Sequence, residues 1–457
     1  MSLPVLGPFV VVRNNNRRHE QFVGRLCAIK SPLDNIFDDP YSDIVHDAPI
    51  TANEAPSQRR IRYNGKYPRN FGDKYKELAG DEETVQKVLS KGMTPAGRHV
   101  PILLNECLHH LGILDTHRDG PTFFVDCTLG YGGHSSQVLR QLLDDGNKDS
   151  KMICFDKDPI EIAKATERLN QMVHEREEPP EANPVTTVNR NFREVRSYLE
   201  SNGGGSGKVT ALLADLGLSS MQIDDAARGF TYKREGPLDM RMSGNDSNST
   251  TESAYDLLSR LTVKQFTKML EENSDEQHAA IIAQAVLGIS SKKKNMSTTK
   301  IPSTTLELAN VVRDAVRPLI APPPPKKQSD DDPPRRDSAK VKKELDSTVA
   351  RVMQAIRIEV NSEFESLEAL LDDLPHLLTA GGRAVILTFH SGEDRRVKSA
   401  FKTGFKNGIY SSWSRDVVRP TSEERRDNPR SSCCKLRWVV RSDQTVFPTR
   451  SFQEGSM

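Results

Sequence analysis

Asp126-Cys127-Thr128-Leu129-Gly130-Tyr131-Gly132-Gly133-His134-Ser135 is the stretch that decides the fold. It follows residues 122–126, a short apolar run that ends in an acid and suits a buried strand. Residues 135–143 after it read as a helix. Glycines between a strand and a helix allow tight turns and close approach of backbone to a ligand. In a dinucleotide site such a loop presents a helix N-terminus to a pyrophosphate, with the spacing G-x-G-x-x-G. Here Gly130 and Gly132 hold the first two positions, and Ser135 stands where the third glycine belongs.

The flanking pattern repeats the unit. Residues 152–156 form a second strand, and 159–172 a helix with Pro159 in its first turn. Residues 185–188 and 192–199 give a third strand and helix, and 209–214 a fourth strand ending at Asp215. Such alternation predicts a parallel α/β sheet. Asp156 closes the second strand about 25 residues past the loop, where an α/β nucleotide site places an acid for the ribose hydroxyls. Asp215-Leu216-Gly217-Leu218-Ser219-Ser220-Met221-Gln222 closes the fourth. Acids at three neighbouring strand ends face one crevice at the carboxyl edge of the sheet. A glycine loop with a ribose-binding acid and no phosphate-binding cation suits S-adenosylmethionine better than NAD, because a sulfonium needs no pyrophosphate cradle. A nicotinamide dehydrogenase is the competing reading, and the missing third glycine argues against it.

Further along, the regularity breaks. Residues 228–320 contain helical segments at 254–261, 277–287 and 304–319, separated by polar tracts such as 243–251 and Lys292-Lys293-Lys294. This reads as a helical subdomain inserted into the α/β domain. Residues 321–343, with Pro322-Pro323-Pro324-Pro325 and Asp330-Asp331-Asp332, form a low-complexity linker that cannot pack a core. A long helix is predicted over 348–378, after which the sheet resumes at 384–388 and ends at 435–440. The α/β domain is therefore discontinuous, 99–227 and 340–445. Residues 1–95 form an extension. Its first 30 residues are basic and acid-poor, as an organellar presequence is, and residues 59–69 interleave tyrosines with cations in a way that suits gripping RNA.

Composition bounds the rest. In 457 residues, 64 Lys+Arg face 63 Asp+Glu, a net charge of +1. That balance removes the simplest argument for a nucleic-acid binder without excluding local basic patches. With 36% hydrophobic and 28% charged residues, a normal core is diluted by polar tails and inserts. No apolar run approaches the ~20 residues of a membrane helix. The six cysteines form no CxxC pair, which speaks against a zinc ribbon and for free thiols in a reducing compartment. No metal site is expected.

Taken in order, the motifs resemble the MraW/RsmH family of small-subunit rRNA (cytosine-N4)-methyltransferases. His99-Val100-Pro101-Ile102-Leu103-Leu104-Asn105-Glu106 looks like the family's opening, and 126–135 like its D-x-T-x-G-x-G-G-H-S loop. Residues 215–225 match D-L-G-x-S-S-x-Q-x-D-D. Arg228-Gly229-Phe230 leads into the most diagnostic stretch, Glu235-Gly236-Pro237-Leu238-Asp239-Met240-Arg241-Met242. Residues 354–361, 389–395 and 428–432 continue the series.

The resemblance implies a Rossmann-like class I methyltransferase sheet with an inserted RNA-recognition subdomain. It implies S-adenosylmethionine as cofactor, held by Asp126, Gly130, Gly132, Gly133, His134, Asp156, Phe192, Asp215 and Gln222. Phe192 would pack against adenine. The reaction implied is methyl transfer to N4 of a cytosine in the decoding region, with Asp215 and Asp239 polarising the amino group. Arg228, Arg241, Arg357, His390, Arg395 and Arg396 are candidate RNA contacts or structural cations. Expected partners are small-subunit rRNA or the assembling small subunit, with no membrane and with room for a homodimer. Inserts and extension point to an organellar member, mitochondrial or plastid, with a cytoplasmic one as the alternative. Three stretches depart from the family: Asn273-Ser274-Asp275-Glu276 replaces a Y-G-E-E-like run, 347–354 lacks its His-Pro, and Gly392 stands in its S-F-H-S-L-E-D. These departures sustain a second expectation, a catalytically weak methyltransferase-fold ribosome-assembly factor.

Overall fold

The computed structural model describes residues 101–115, 120–203, 207–244, 251–288, 301–321 and 338–443. The extension 1–95, the lysine run and most of the low-complexity linker lie outside them. Helix α1 (Leu104–His110) leads into strand β1 (Phe123–Asp126), and the glycine loop joins β1 to α2 (Gly133–Asp145). There follow β2 (Lys151–Asp156), α3 (Pro159–His174), β3 (Val185–Asn189), a 3₁₀ turn at Phe192–Glu194, α4 (Val195–Ser201) and β4 (Val209–Asp215). Asp158 starts α3 as its N-cap, its carboxylate accepting from the N–H groups of Ile160 and Glu161, with Pro159 in the first turn.

After α5 (Ser220–Asp224) the chain enters the insert: α6 (Ala254–Arg260), α7 (Val263–Ser274), α8 (Ala279–Val286) and α9 (Thr305–Ile320). It leaves through α10 (Ser338–Asn361) and α11 (Glu363–Leu377) into β5 (Leu378–Thr388). Helix α12 (Ser391–Lys406), β6 (Tyr410–Trp413), α13 (Ser422–Asp427) and β7 (Lys435–Arg441) complete the described chain.

The sheet has seven strands in the order β3-β2-β1-β4-β5-β7-β6. Neighbours from β3 to β5 pair in parallel, and β7 runs antiparallel between β5 and β6. The order reverses beside β1, which makes the crevice between β1 and β4 the switch point where such sheets bind ligands. Side chains alternate as strand geometry demands. Phe123 and Val125 pack into the core on one face of the sheet, and Phe124 into the core on the other. Helices cover both faces, which is the doubly wound, Rossmann-like class I methyltransferase fold expected from the sequence. Strand β6 and the antiparallel setting of β7 were not foreseen, because a four-residue edge strand carries little periodic signal.

A third, separate core holds the insert together. It contains Phe266, Leu270, Ile282, Leu308, Val312 and, from α10, Val349, Val352 and Ile356. Helix α10 thus packs with the insert, although the sequence reading gave residues from 340 onward to the α/β domain. The single helix predicted over 348–378 is broken at Ser362, whose backbone is left-handed (φ 49). Just before the break, the Asn361 side chain donates to the carbonyls of Met240 and Arg357, both at 2.8–2.9 Å.

Candidate cofactor crevice and RNA-facing loop

The register explains why the acids converge. Cys154 and Leu213 pair with Asp126 from either side, so Asp156 and Asp215 both project past the end of β1. Asp126 is 1% exposed and turns its carboxylate into the loop. It accepts from Thr128 N–H at 2.9 Å and from the Ser135 hydroxyl. Its place is therefore beneath the loop, holding the loop's shape. Gly132, left-handed at φ 79, is the N-cap of α2, a backbone that a side chain would strain. Arg168 fixes the loop from outside, donating to the Tyr131 carbonyl at 3.0 Å and lying 3.9 Å over its ring.

Asp156 faces the loop. One carboxylate oxygen accepts from Gly130 N–H at 2.6 Å and the other from Asp158 N–H at 2.7 Å. Each oxygen keeps a further lone pair, so a vicinal diol can be accepted. Burial pushes this carboxyl up to about 7. Phe192 is partly buried and packs at the edge of one sheet core. Asn191 before it caps the turn and bonds Ser366, which fixes where the ring emerges.

Asp215 is held differently. Its N–H donates to the Thr128 hydroxyl at 2.6 Å, and its Oδ2 lies 3.6 Å from His134 Nδ1. Its Oδ1 is buried with no hydrogen-bond partner. Burial, and then the nearby Glu393 carboxylate, push this carboxyl up to about 7. His134 is buried, and its Nε2 is 3.0 Å from the Ile102 carbonyl, which can only accept. Nε2 therefore carries the proton and Nδ1 offers a lone pair toward Asp215. Burial also lowers the imidazole from its usual range, favouring the neutral ring.

Gln222 is placed behind the crevice. Its Oε1 accepts from Ser219 N–H in a capping box, and its Nε2 donates to Asp158 at 2.7 Å. Both ends of its amide are thus engaged with the protein. Asp158, which sequence reasoning missed, is fully buried and also receives Arg228 at 2.7 Å. The available signal was an acid immediately before Pro159, the N-cap position of the helix that Pro159 opens.

The candidate RNA residues divide sharply. Arg228 bonds Asp158 and the carbonyls of Arg241 and Met242. Arg241 grips Asp239 through two nitrogens, at 3.0 and 2.6 Å, so both Asp239 oxygens are engaged. Arg357 forks onto Glu363 at 2.8 and 2.9 Å. His390 is 5% exposed and caps α12. Arg396 pairs with Glu368 and lies 3.6 Å over the Phe364 ring. Arg395 is 66% exposed, with a surface pair to Asp275. Asp239 and Arg241 line a cavity of about 300 Å³ with Pro237, Leu238, Ser253, Tyr255 and Ser303.

Among the described residues, Glu363, His390 and Glu393 form the one group with metal-ligand spacing. His390 Nδ1 accepts from Glu393 N–H at 3.4 Å, and its Nε2 lies 3.2 Å from Glu393 Oε1. Nε2 is buried and makes no hydrogen bond of good geometry there. Arg357 already neutralises Glu363.

Sheet order, glycine loop and strand-end acids together are those of the S-adenosylmethionine-dependent methyltransferase class. Residues 96–442 match the family model described as the MraW methylase family. The chain belongs to the MraW methylase family. It is 38% identical over 396 residues to "Ribosomal RNA small subunit methyltransferase H 1" of Agathobacter rectalis, covering 86% of this chain and 100% of that one. It is 38% identical over 392 residues to "Ribosomal RNA small subunit methyltransferase H 2" of Alkaliphilus metalliredigens, covering 85% and 99%. No helix among the described residues is long and apolar enough to cross a membrane.

Proposed function

We propose that this protein transfers a methyl group from S-adenosylmethionine to N4 of a cytosine in the decoding region of small-subunit rRNA. The relatives named above support the RNA class, and Asp215 supports the chemistry. It is a carboxylate at the end of β4, beside the glycine loop, with one buried oxygen left without a partner. S-adenosylmethionine, when bound, supplies a methyl already activated on a sulfonium, so the protein's work is chiefly alignment.

The residues fit that cofactor. Gly130, Gly132 and Gly133 offer bare backbone along the crevice. Asp156 has lone pairs for the ribose, and Phe192 an apolar face for adenine. No basic side chain waits for a pyrophosphate in the loop itself. Asp215 accepts a hydrogen bond from the cytosine amino group, which helps localise the nitrogen lone pair. In-line transfer would form the N4–C bond as the methyl's bond to sulfur breaks, with S-adenosylhomocysteine as leaving group, and the proton that N4 loses would pass to Asp215. Neutral His134, with Nδ1 turned to the same carboxylate, steadies the protonated form. Asp239, with both oxygens bound by Arg241, shapes the RNA side and takes no part in the proton transfer. The cytosine must leave its stack to reach the crevice. Arg395 is the sequence-proposed cation best placed to meet a phosphate.

Calorimetry with S-adenosylmethionine and with NAD tests the cofactor. Binding of NAD alone would sink the methyltransferase reading. Nucleoside mass spectrometry of rRNA from a strain lacking the protein tests the product. Loss of N4-methylcytidine is expected, and its persistence would favour the assembly-factor reading. An organellar address rests on the basic extension, while the relatives named are bacterial. Imaging a fluorescent fusion to residues 1–95 tests it, and diffuse cytoplasmic signal would end it.

A further inference from the structure

Asp158 stands two residues after the ribose-facing Asp156, and its buried carboxylate is a hub. Oδ1 accepts from the N–H groups of Ile160 and Glu161, and Oδ2 from Gln222 and Arg228, the last two at 2.7 Å. Arg228 passes the link on. Its Nη2 donates to the carbonyls of Arg241 and Met242 at 3.1 and 3.0 Å. Met242 N–H donates to Asn361 Oδ1 at 2.8 Å, and Asn361 Nδ2 donates to the Met240 carbonyl at 2.8 Å. Lys157 Nζ closes the circuit on the Asn361 carbonyl at 3.5 Å.

The ring therefore joins the residues directly behind the cofactor acid to the loop that carries Asp239. That loop has little slack. Met240 is 1% exposed and left-handed (φ 60), a backbone such residues adopt only when their surroundings impose it. Its N–H donates to the Arg228 carbonyl at 3.2 Å. A Cβ on Gly236 would run into the Ala226 carbonyl, so the chain entering the loop lies backbone to backbone against residue 226. A planar guanidinium that spans a carboxylate and two carbonyls fixes orientation as well as distance.

We propose that Asp158 and Arg228 are positioning residues that couple the two binding events: a filled cofactor crevice sets the 237–242 loop for RNA, and bound RNA tightens the cofactor. This inference rests on the crevice taking S-adenosylmethionine and on the insert facing RNA. Coupling of this kind is reciprocal, so one factor describes both directions.

The test titrates the full chain with S-adenosylhomocysteine, alone and with saturating in vitro transcribed small-subunit rRNA. The rRNA is expected to tighten S-adenosylhomocysteine about tenfold, within the usual range of such coupling. Arg228→Lys keeps a cation against Asp158 and loses the fork. Its coupling is expected to fall below about twofold, while affinity without RNA stays within about twofold of the parent. Lys157→Met opens the ring at its longest link and should lower the coupling part-way with the fold intact, which covers failure of the first variant to fold. Parent protein whose affinity ignores rRNA that it demonstrably binds would overturn the proposal. So would Arg228→Lys or Lys157→Met variants that melt earlier yet keep full coupling, since those residues would then only brace the fold. Failure of the parent to bind S-adenosylhomocysteine at all would instead overturn the cofactor assignment, and the coupling with it.

Discussion

Asp215, at the end of β4, keeps a buried carboxylate oxygen without a partner, whereas Arg357, at the end of the insert, spends both arms of its guanidinium on Glu363. The contrast holds across both regions. In the crevice, Asp156 accepts one hydrogen bond per oxygen and has room for more. In the insert and its entry loop, Arg228, Arg241 and Arg357 each have a carboxylate at 2.6–2.8 Å. Buried polar groups are normally satisfied, so an unsatisfied one needs a reason. Among the described residues Glu161 Oε2 and His390 Nε2 are also left so, and Asp215 Oδ1 differs in standing at a strand end beside the glycine loop, which is why the proposed chemistry is assigned to it. The satisfied cations mark architecture. Motif matching alone treats the two alike.

The comparison can be broken most easily at Asp215. Asp215→Asn removes the proton acceptor and should lower kcat by roughly 10²–10⁴. Cofactor affinity should barely move, as calorimetry would show. An equal loss of affinity would make Asp215 a cofactor ligand only. Asp156→Ala should do the reverse, weakening cofactor binding by roughly 10- to 100-fold, the worth of hydrogen bonds to a charged group, while the chain still folds with a thermal transition lowered by the two N–H groups it strands. Unaltered affinity would show that the crevice is misassigned.

On the satisfied side, Arg357→Ala strands Glu363 and should destabilise the fold by about 3 kcal/mol, read by denaturant unfolding. A stable variant with weakened RNA binding would turn Arg357 into an RNA contact after all. Titration sharpens the same contrast. At saturating cofactor, kcat/KM for RNA should rise as pH passes upward through about 7, because only the ionised Asp215 accepts a proton. A profile flat from pH 5 to 9 would remove Asp215 from proton transfer. The smallest effect belongs to Arg395→Ala, which should leave stability unchanged and lower the salt slope of RNA binding by about 1.

Much of the sheet was legible because each buried strand is a short apolar run closed by an acid or a turn. Strands at 122–126, 152–156 and 209–214 agree with Phe123–Asp126, Lys151–Asp156 and Val209–Asp215 within a residue or so. Tertiary features were not legible. The break at Ser362 depends on Asn361 reaching a loop over a hundred positions earlier, and no local propensity encodes that. The fate of the arginines was equally hidden. Arg228 and Arg395 look alike in sequence, and only the fold puts Asp158 beside one and solvent beside the other. Strand-end acids were easier, since the parallel register fixes their side of the sheet before any side chain is placed.

The most direct measurement supplies the full chain with S-adenosylmethionine and unmodified small ribosomal subunits, then reads the rRNA by nucleoside mass spectrometry. The parent should produce N4-methylcytidine at a single position, and Asp215→Asn should bind cofactor and produce almost none. Parent protein that binds cofactor and subunits yet leaves every cytosine unmodified would contradict the account.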